Sequence, residues 1–373
     1  MIKLVGKTLI FSDLHVGIKS DTPSRLNMSI NAVEEILKIA STENVDNIIF
    51  LGDWFNSREY IHTATLTIGY QLMSLLASRH TVVVIAGNHD IESNSYNIIS
   101  PLYTFTDIDN VHIFHDITEF MLNDKICLAV PWGHSEYDNN QLYDIVFGHL
   151  NVVGSAIRYN KVVGEITDNS EYVVTSINDV RTFAKKLKPS GICFSGHIHL
   201  KTEHRYRSTK IIFVGSPIEL TFGEMSSSHG VYILDTNTNT VHFNELCNVP
   251  KHAIMRLSEC IDETGKIKSD DYFSRFNNTI IKKIIDVDLS HEQQTELNNR
   301  LINLNVYDFV ESEICYTGLS TEISSSVAVE KLTLMSYIDL VFDTLSDNVF
   351  KQAETTKDSL KDIFRAYTVE YNI

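Results

Sequence analysis

The sequence predicts a layered α/β fold with smaller pieces at its C-terminal end, and three observations predict it. Short apolar runs alternate with helical patterns through the first half of the chain, the signature of helices packed on sheets. Several of those runs stop at a glycine followed by polar residues, as strands do where they open into loops. Beyond Pro250 the pattern changes, and 373 residues exceed what one hydrophobic core usually holds.

Residues 1–11 open the chain as a strand centred on Thr8-Leu9-Ile10-Phe11, too short and too interrupted for a signal peptide. Thr22-Pro23 offers an N-cap with proline at the first helical position. Leu26, Ile30, Val33, Leu37 and Ala40 then recur at helical spacing as a core-facing stripe. Residues 47–51 and 81–85 read as buried strands, and more strands are expected near 125–130, 144–147, 192–195, 211–214 and 231–234. After Pro250, a strand over 280–289, a helix opened by the capping box Ser290/Gln293 and a strand over 306–314 make a small β-α-β unit. A serine-rich linker leads to two amphipathic helices, 327–345 and 355–367. In the first, Leu332, Met335, Ile338 and Phe342 share one face, which either packs on the chain's own core or docks on a partner. The expected organisation is 1–250 as the main domain, 251–317 as a small α/β domain, 318–326 as linker and 327–373 as C-terminal helices.

A composition of 43% hydrophobic and 21% charged residues is that of a globular protein, and no apolar run reaches the length of a membrane span. Five scattered cysteines without a CxxC pair exclude a disulfide framework and a zinc ribbon; reduced thiols in a cytoplasmic protein are expected. A formal net charge of −17 argues against indiscriminate nucleic-acid binding. A nucleic-acid substrate stays compatible with it where bound cations, a basic patch or a partner supplies positive charge.

The chemistry lies in five polar clusters at predicted strand ends, where open α/β sheets place their sites. They are Asp13-Leu14-His15, Gly52-Asp53, Gly87-Asn88-His89-Asp90, Gly148-His149 and Gly196-His197-Ile198-His199. Each alone is a common turn or loop; the set, in one order and each after an apolar strand, is not. Buried ionisable groups cost free energy unless paired or metal-bound. Mixed carboxylate, imidazole and amide ligands suit first-row divalent metals. Asp53 suits a bridging place between two cations, His197 and His199 can reach different ones, and two such ions can drive in-line displacement at phosphorus. The glycines are expected to turn the backbone sharply. His89 is expected to transfer a proton, with the adjacent Asp90 fixing its tautomer; the alternative is a third metal ligand or a structural histidine.

The five clusters resemble the calcineurin-like metallophosphoesterase signature over roughly residues 7–234. The resemblance implies a β-sandwich flanked by helices, with one metal on Asp13, His15, Asp53 and His199 and another on Asp53, Asn88, His149 and His197. It also implies His89 as the catalytic histidine, with Asp90 behind it. Within that superfamily the chain is similar to the SbcD-type nucleases, the repair and recombination exonuclease subunits of bacteria and large phages. The carriers are Gly87-Asn88-His89-Asp90, the absence of a phosphatase-type arginine context after Gly52-Asp53, and the segment Gly215-Ser216-Pro217-Ile218-Glu219-Leu220-Thr221-Phe222-Gly223-Glu224 before His229-Gly230. The implied activity is degradation of DNA duplex ends and cleavage of single strands with two divalent ions, Mn²⁺ first and Mg²⁺ second. The implied partners are a second copy of the chain and an SbcC-like coiled-coil ATPase, docked through Leu332, Met335, Ile338 and Phe342, in a bacterial or phage-infected cytoplasm. The 251–317 unit becomes a DNA-binding cap. Asn56 stands where relatives place a histidine or an aspartate, which leaves the exonuclease-to-endonuclease balance open.

Asn56, Arg58, His62, Lys201 and Arg205 are candidate DNA contacts, since cationic and polar side chains supply sequence-independent backbone binding. His134, in Pro131-Trp132-Gly133-His134, rivals His149 as a ligand, but its context reads as a packed loop. Trp54 and Phe55 either stack on a base or pack beneath the metal loop. Two other functions fit the same motifs. A phosphatase or small-molecule phosphodiesterase would turn over a nitrophenyl phosphodiester and spare DNA. A non-catalytic subunit that tethers DNA ends would tolerate loss of His89.

Overall fold

A computed structural model describes residues 1–19, 22–92, 99–135, 137–152, 179–304 and 306–314, with residue 166 and the short strands at 156–158 and 161–163. The linker and both C-terminal helices, with Leu332, Met335, Ile338 and Phe342, lie outside the described residues, as does Cys315. In chain order the elements begin β1 (Lys3–Leu4), β2 (Thr8–Phe11), α1 (Pro23–Glu43), β3 (Asn47–Phe50), α2 (Thr63–Ala77), β4 (Thr81–Ile85) and β5 (Val111–Phe114). Next come β6 (Thr118–Leu122), β7 (Lys125–Val130), β8 (Tyr143–Gly148), β9 (Ala156–Arg158), β10 (Lys161–Val163), α3 (Val180–Ala184), β11 (Leu187–Ser195), β12 (Thr202–Tyr206) and β13 (Thr209–Phe213). The remainder is β14 (Gly230–Asp235), β15 (Thr240–Glu245), β16 (Lys251–Arg256), α4 (Asp270–Ser274), β17 (Thr279–Ile285), α5 (His291–Asn303) and β18 (Asp308–Ile314).

Two large sheets face each other. One has seven strands in the order β1-β6-β7-β8-β11-β13-β12, the other six in the order β15-β14-β2-β3-β4-β5. The uninterrupted apolar runs follow from this layering, because a strand covered on both faces cannot alternate with polar residues. Ile10, Ile49, Val83 and Ile85 join Phe120, Ala129, Phe147 and Phe194 of the opposite sheet in one core. Their neighbours Leu9, Phe11, Ile48, Phe50, Val82 and Val84 join Ala32, Val33 and Ile36 of α1 and Leu72, Met73 and Leu76 of α2 in another. Beyond the seven-stranded sheet, Val180, Phe183 and Ala184 of α3 pack on Val146, Cys193 and Phe213. The result is a helix–sheet–sheet–helix sandwich, and truncating one of these buried chains to alanine is expected to cost about 2–5 kcal/mol.

Helix α1 shows how local sequence sets an element and where it misleads. Leu26, Val33 and Ala40 are buried as the stripe requires, Ile30 and Leu37 sit half-buried at its edge, and Met28, Ala32 and Ile36 complete the face. Pro23 starts the helix, but Thr22 makes no side-chain capping bond; its hydroxyl meets that of Ser24 at 3.1 Å. Asn44 ends it in the left-handed conformation, φ 54°, its N–H reaching the Ala40 and Ser41 carbonyls.

The C-terminal sheet is larger than the expected β-α-β unit. Strands β16, β17 and β18 run parallel, and β16 and α4 are elements the sequence reading lacked. Strand β17 ends at Ile285 rather than running to 289. Met255, Phe273, Phe276, Ile281, Leu297 and Leu301 form its own core. The capping box of α5 is made in both directions, Ser290 accepting from the Gln293 N–H and Gln293 from the Ser290 N–H. No described helix is long and apolar enough to cross a membrane.

Candidate metal centre

Strands β2 and β3 run side by side, and the pairing continues into the loops that leave them. The Asp13 N–H donates to the Gly52 carbonyl (2.9 Å), that of His15 to Asp53 (3.0 Å) and that of Val16 to Trp54 (2.8 Å). Asp13, His15 and Asp53 are thereby fixed next to one another. All three take left-handed backbone conformations (φ 55°, 47° and 61°), as does His197 at 78°. For residues other than glycine each such turn costs about 1–2 kcal/mol, and strain of this kind gathers at functional sites.

This corrects the expected role of the cluster glycines. Only Gly52, φ 101°, supplies a left-handed turn; the ligand residues make the others themselves. Gly87 and Gly196 are required for space instead. A Cβ at Gly87 would lie 2.2 Å from Asp53 Oδ1, and one at Gly196 would lie 2.1 Å from Ser12 Oγ.

The seven residues chosen from the sequence converge. Asp13, Asp53 and His149 are fully or almost fully buried, and His15 is 3% exposed. His149 Nε2 lies 3.4 Å from Asp53 Oδ2 and 2.9 Å from Asn88 Oδ1. His197 Nδ1 meets the same Asn88 oxygen at 2.9 Å. On the other side His15 Nε2 lies 3.6 Å from Asp53 Oδ2 and 3.9 Å from Asp13 Oδ1, and His199 Nε2 lies 3.9 Å from Asp13 Oδ1. Three overlapping groups place their donor atoms within 4.8 Å of one another: Asp13, His15 and His199; His15, Asp53 and His89; and Asp13, Asp53 and His149.

Asp90 is not behind His89. Its carboxylate accepts the N–H groups of Asp53 (2.7 Å), Gly87 (3.0 Å) and Trp54 (3.0 Å), so it ties the third cluster to the second. Sequence adjacency misleads here because neighbouring side chains on a tight loop point to different sides. The His89 ring donates from Nδ1 to the Asn56 carbonyl (2.6 Å), and its main-chain N–H donates to Asp53 Oδ1 (2.7 Å). A carbonyl only accepts, so Nδ1 carries the proton and Nε2 is the nitrogen left for proton transfer. Arg58, expected on DNA phosphates, donates to the Asn88 carbonyl at 2.5 Å and so braces the same loop.

Two residues were missed by the sequence reading. Glu224 places Oε1 3.2 Å from His199 Nδ1. The Trp132 ring lies 4.9 Å from that of His197 and 6.0 Å from that of His149, walling the second side. Both come from loops far along the chain from the residues they touch, where periodicity carries no signal. His134 points elsewhere, to the His115 carbonyl at 3.2 Å. Trp54 and Phe55 are fully buried beneath the loop, which removes them from base stacking. His62 stands at the N-cap position of α2 without a side-chain capping bond, Lys201 lies over the Phe243 ring at 4.1 Å, and Arg205 is exposed on the edge strand β12.

The electrostatics divide the histidines of the cluster. Burial pushes the His15 and His197 imidazoles down to about 3, so both are neutral at neutral pH, the form a metal requires. Burial opposes charge on His149, but the Asp53 carboxylate outweighs it and lifts that ring to about 9. Burial and the Asp53 charge push the Asp90 carboxyl up to about 7, against its N–H donors. Most telling is His15: neither ring nitrogen has a hydrogen-bond partner among the described residues, although the ring is almost wholly buried. An unsatisfied buried polar group costs about 1–3 kcal/mol, a cost a bound cation would remove.

Residues 6–201 match the model of the family described as calcineurin-like phosphoesterase. Exonuclease subunit 1 of Enterobacteria phage T4 is 22% identical over 343 residues, covering 90% of this chain and 93% of that protein. The SbcD subunit of the SbcCD nuclease of Bacillus subtilis (strain 168) is 24% identical over 260 residues, covering 60% of this chain and 64% of that one. Among solved structures, a phosphoesterase from E. coli is 12% identical, covers 65% of this chain and all of its own, and has a TM-score of 0.33.

Proposed function

The chain belongs to the calcineurin-like phosphoesterase family, and we propose that within it the protein is a metal-dependent DNA nuclease. It hydrolyses phosphodiester bonds at duplex ends and in single strands, as the nuclease subunit of a double-strand-break processing and recombination complex. The observation that carries this reading is the reach of one similarity. The family match ends at residue 201, whereas the likeness to the phage exonuclease subunit covers 90% of the chain. In this reading 1–250 is the nuclease domain, 251–317 a DNA-facing cap, 318–326 a linker, and 327–373 the dock for a coiled-coil ATPase through Leu332, Met335, Ile338 and Phe342. The protein works as a homodimer in the cytoplasm, with Mn²⁺ preferred over Mg²⁺.

Asp13, His15, Asp53 and His199 would hold one cation; Asp53, Asn88, His149 and His197 would hold the other. When bound, the pair supplies the Lewis acidity that activates water and draws charge from the phosphoryl oxygens. The chain's own groups do the rest. As an imidazolium held at Nδ1 by the Asn56 carbonyl, His89 would pass its Nε2 proton to the leaving oxygen of the phosphodiester and be left neutral. Arg58 keeps Asn88 in place through its carbonyl, and Asp90 keeps the Asp53 loop in place through three N–H groups. Lys201 and Arg205, with Asn56, Arg58 and His62, are the proposed contacts to the DNA backbone.

The test compares substrates. Purified protein, alone and with its ATPase partner, is given Mn²⁺ and end-labelled duplex, circular single-stranded DNA, a nitrophenyl phosphodiester and a phosphomonoester. Metal-dependent DNA cleavage is the expected result. Rapid turnover of the small esters with DNA left intact would replace the nuclease by a small-molecule phosphoesterase.

A further inference from the structure

The histidines of the cluster are not held alike. Main-chain carbonyls hold Nδ1 of His149, from Leu51 at 2.7 Å, and Nδ1 of His89, from Asn56 at 2.6 Å. His199 is held by a carboxylate: Nδ1 lies 3.2 Å from Glu224 Oε1, while Nε2 faces Asp13. That carboxylate has a fixed seat. Glu224 is 2% exposed, its Oε2 accepts the Leu220 N–H at 2.7 Å, and the Thr221 hydroxyl donates to Oε1 at 3.2 Å. The segment is anchored again at Glu219, which accepts the His252 N–H at 2.5 Å.

We propose that Glu224 is a positioning residue that sets the tautomer and basicity of His199, and through it the affinity of one cation site but not the other. The proposal rests on the reading of His199 as a ligand. A carboxylate can only accept, so Nδ1 carries the hydrogen and Nε2 presents its lone pair toward Asp13. A carbonyl fixes a tautomer equally well. A charged acceptor also draws the Nδ1 proton toward itself and makes the opposite nitrogen a stronger donor to a metal. The site holding His199 therefore receives a strengthened imidazole, whereas the His149 ring across the cluster leans on a neutral carbonyl.

The experiment uses the full chain and Mn²⁺ alone as probe. Calorimetric titration resolves the two classes of site in the wild type, Glu224→Ala, Glu224→Gln and His199→Ala, and each protein is melted in EDTA to show that it folds. Glu224→Ala is expected to weaken one class by about 10–100-fold and leave the other unchanged. Glu224→Gln keeps one acceptor oxygen without the charge, enough for the His199 Nδ1–H or the Leu220 N–H but not both, and is expected to weaken the same class alone. Affinities equal to wild type in both variants overturn the proposal. So does an equal loss at both classes, the signature of a merely structural carboxylate. If His199→Ala keeps both classes intact, the ligand assignment itself fails, and the proposal falls with it for that separate reason.

Discussion

On one side of the cluster, His149 and His197 both reach the Asn88 amide oxygen at 2.9 Å, and His149 is anchored again on the Leu51 carbonyl at 2.7 Å. On the other side, His15 has no hydrogen-bond partner among the described residues at either nitrogen, and its ring stands edge-on to those of His89 and His199, 4.8 and 5.0 Å away. The first side is organised by its own hydrogen bonds. The second holds His199 on the Glu224 carboxylate but leaves the buried His15 ring on strained loop backbone without a hydrogen bond among the described residues. Hydrogen bonding is therefore divided unequally between the two: one side is satisfied within the protein, and at His15 the other carries a desolvation cost that a bound cation would offset.

Asp53 joins the two sides, so its replacement is the harshest way to break the contrast. Asp53→Asn is expected to abolish binding at both sites and lower DNA cleavage by roughly 10³-fold or more, about 4 kcal/mol of barrier. Retention of either cation, seen by titration, would mean that Asp53 is not shared. His89→Ala should come next. A loss of about 10²–10⁴-fold in kcat with two cations still bound identifies a proton-transfer group. A lost cation would instead make His89 a ligand beside His15 and Asp53, whose donor atoms lie within reach of it.

A smaller effect sharpens the contrast most, because its sign reverses across the cluster. In EDTA, His149→Leu should destabilise the fold by about 1–3 kcal/mol, since it strands the Leu51 carbonyl and leaves the Asn88 oxygen to His197 alone. His15→Leu should stabilise it by about 1 kcal/mol, since it removes two buried nitrogens that have no partner. Thermal melts of the two variants beside wild type check both signs. A destabilised His15→Leu protein would show that the ring is held by something other than a cation.

The residues that converge in the cluster were legible because each stands where an apolar strand meets a polar loop, a break in pattern that strand stability does not explain. The doubly covered strands β2, β3 and β4 were legible for the same reason, being apolar at nearly every position. Short strands at sheet edges or ends were not: β1 has two residues, and β12 and β15 alternate weakly, with exposed Glu203 and Arg205 on one and exposed Thr240 and Glu245 on the other. Helix α2 escaped because its interior holds Thr65, Thr67 and Gly69, poor helix formers that tertiary packing on Leu72, Met73 and Leu76 overrides. Adjacency along the chain suggested an Asp90–His89 pair. The fold instead gave Asp90 to the backbone of Asp53, Gly87 and Trp54, and gave the Nδ1 of His89 to Asn56. Glu224 reaches His199 from a loop 25 residues away, a link no local pattern encodes.

The most direct test of the proposed nuclease is cleavage of end-labelled duplex and circular single-stranded DNA by the wild type and His89→Ala proteins, each in Mn²⁺, Mg²⁺ and EDTA, with the ATPase partner present. The expected result is cleavage by the wild type that needs the metal, is strongest with Mn²⁺ and is lost in the variant. Cleavage that survives EDTA or the loss of His89, or no cleavage by the wild type in any of these conditions, would contradict it.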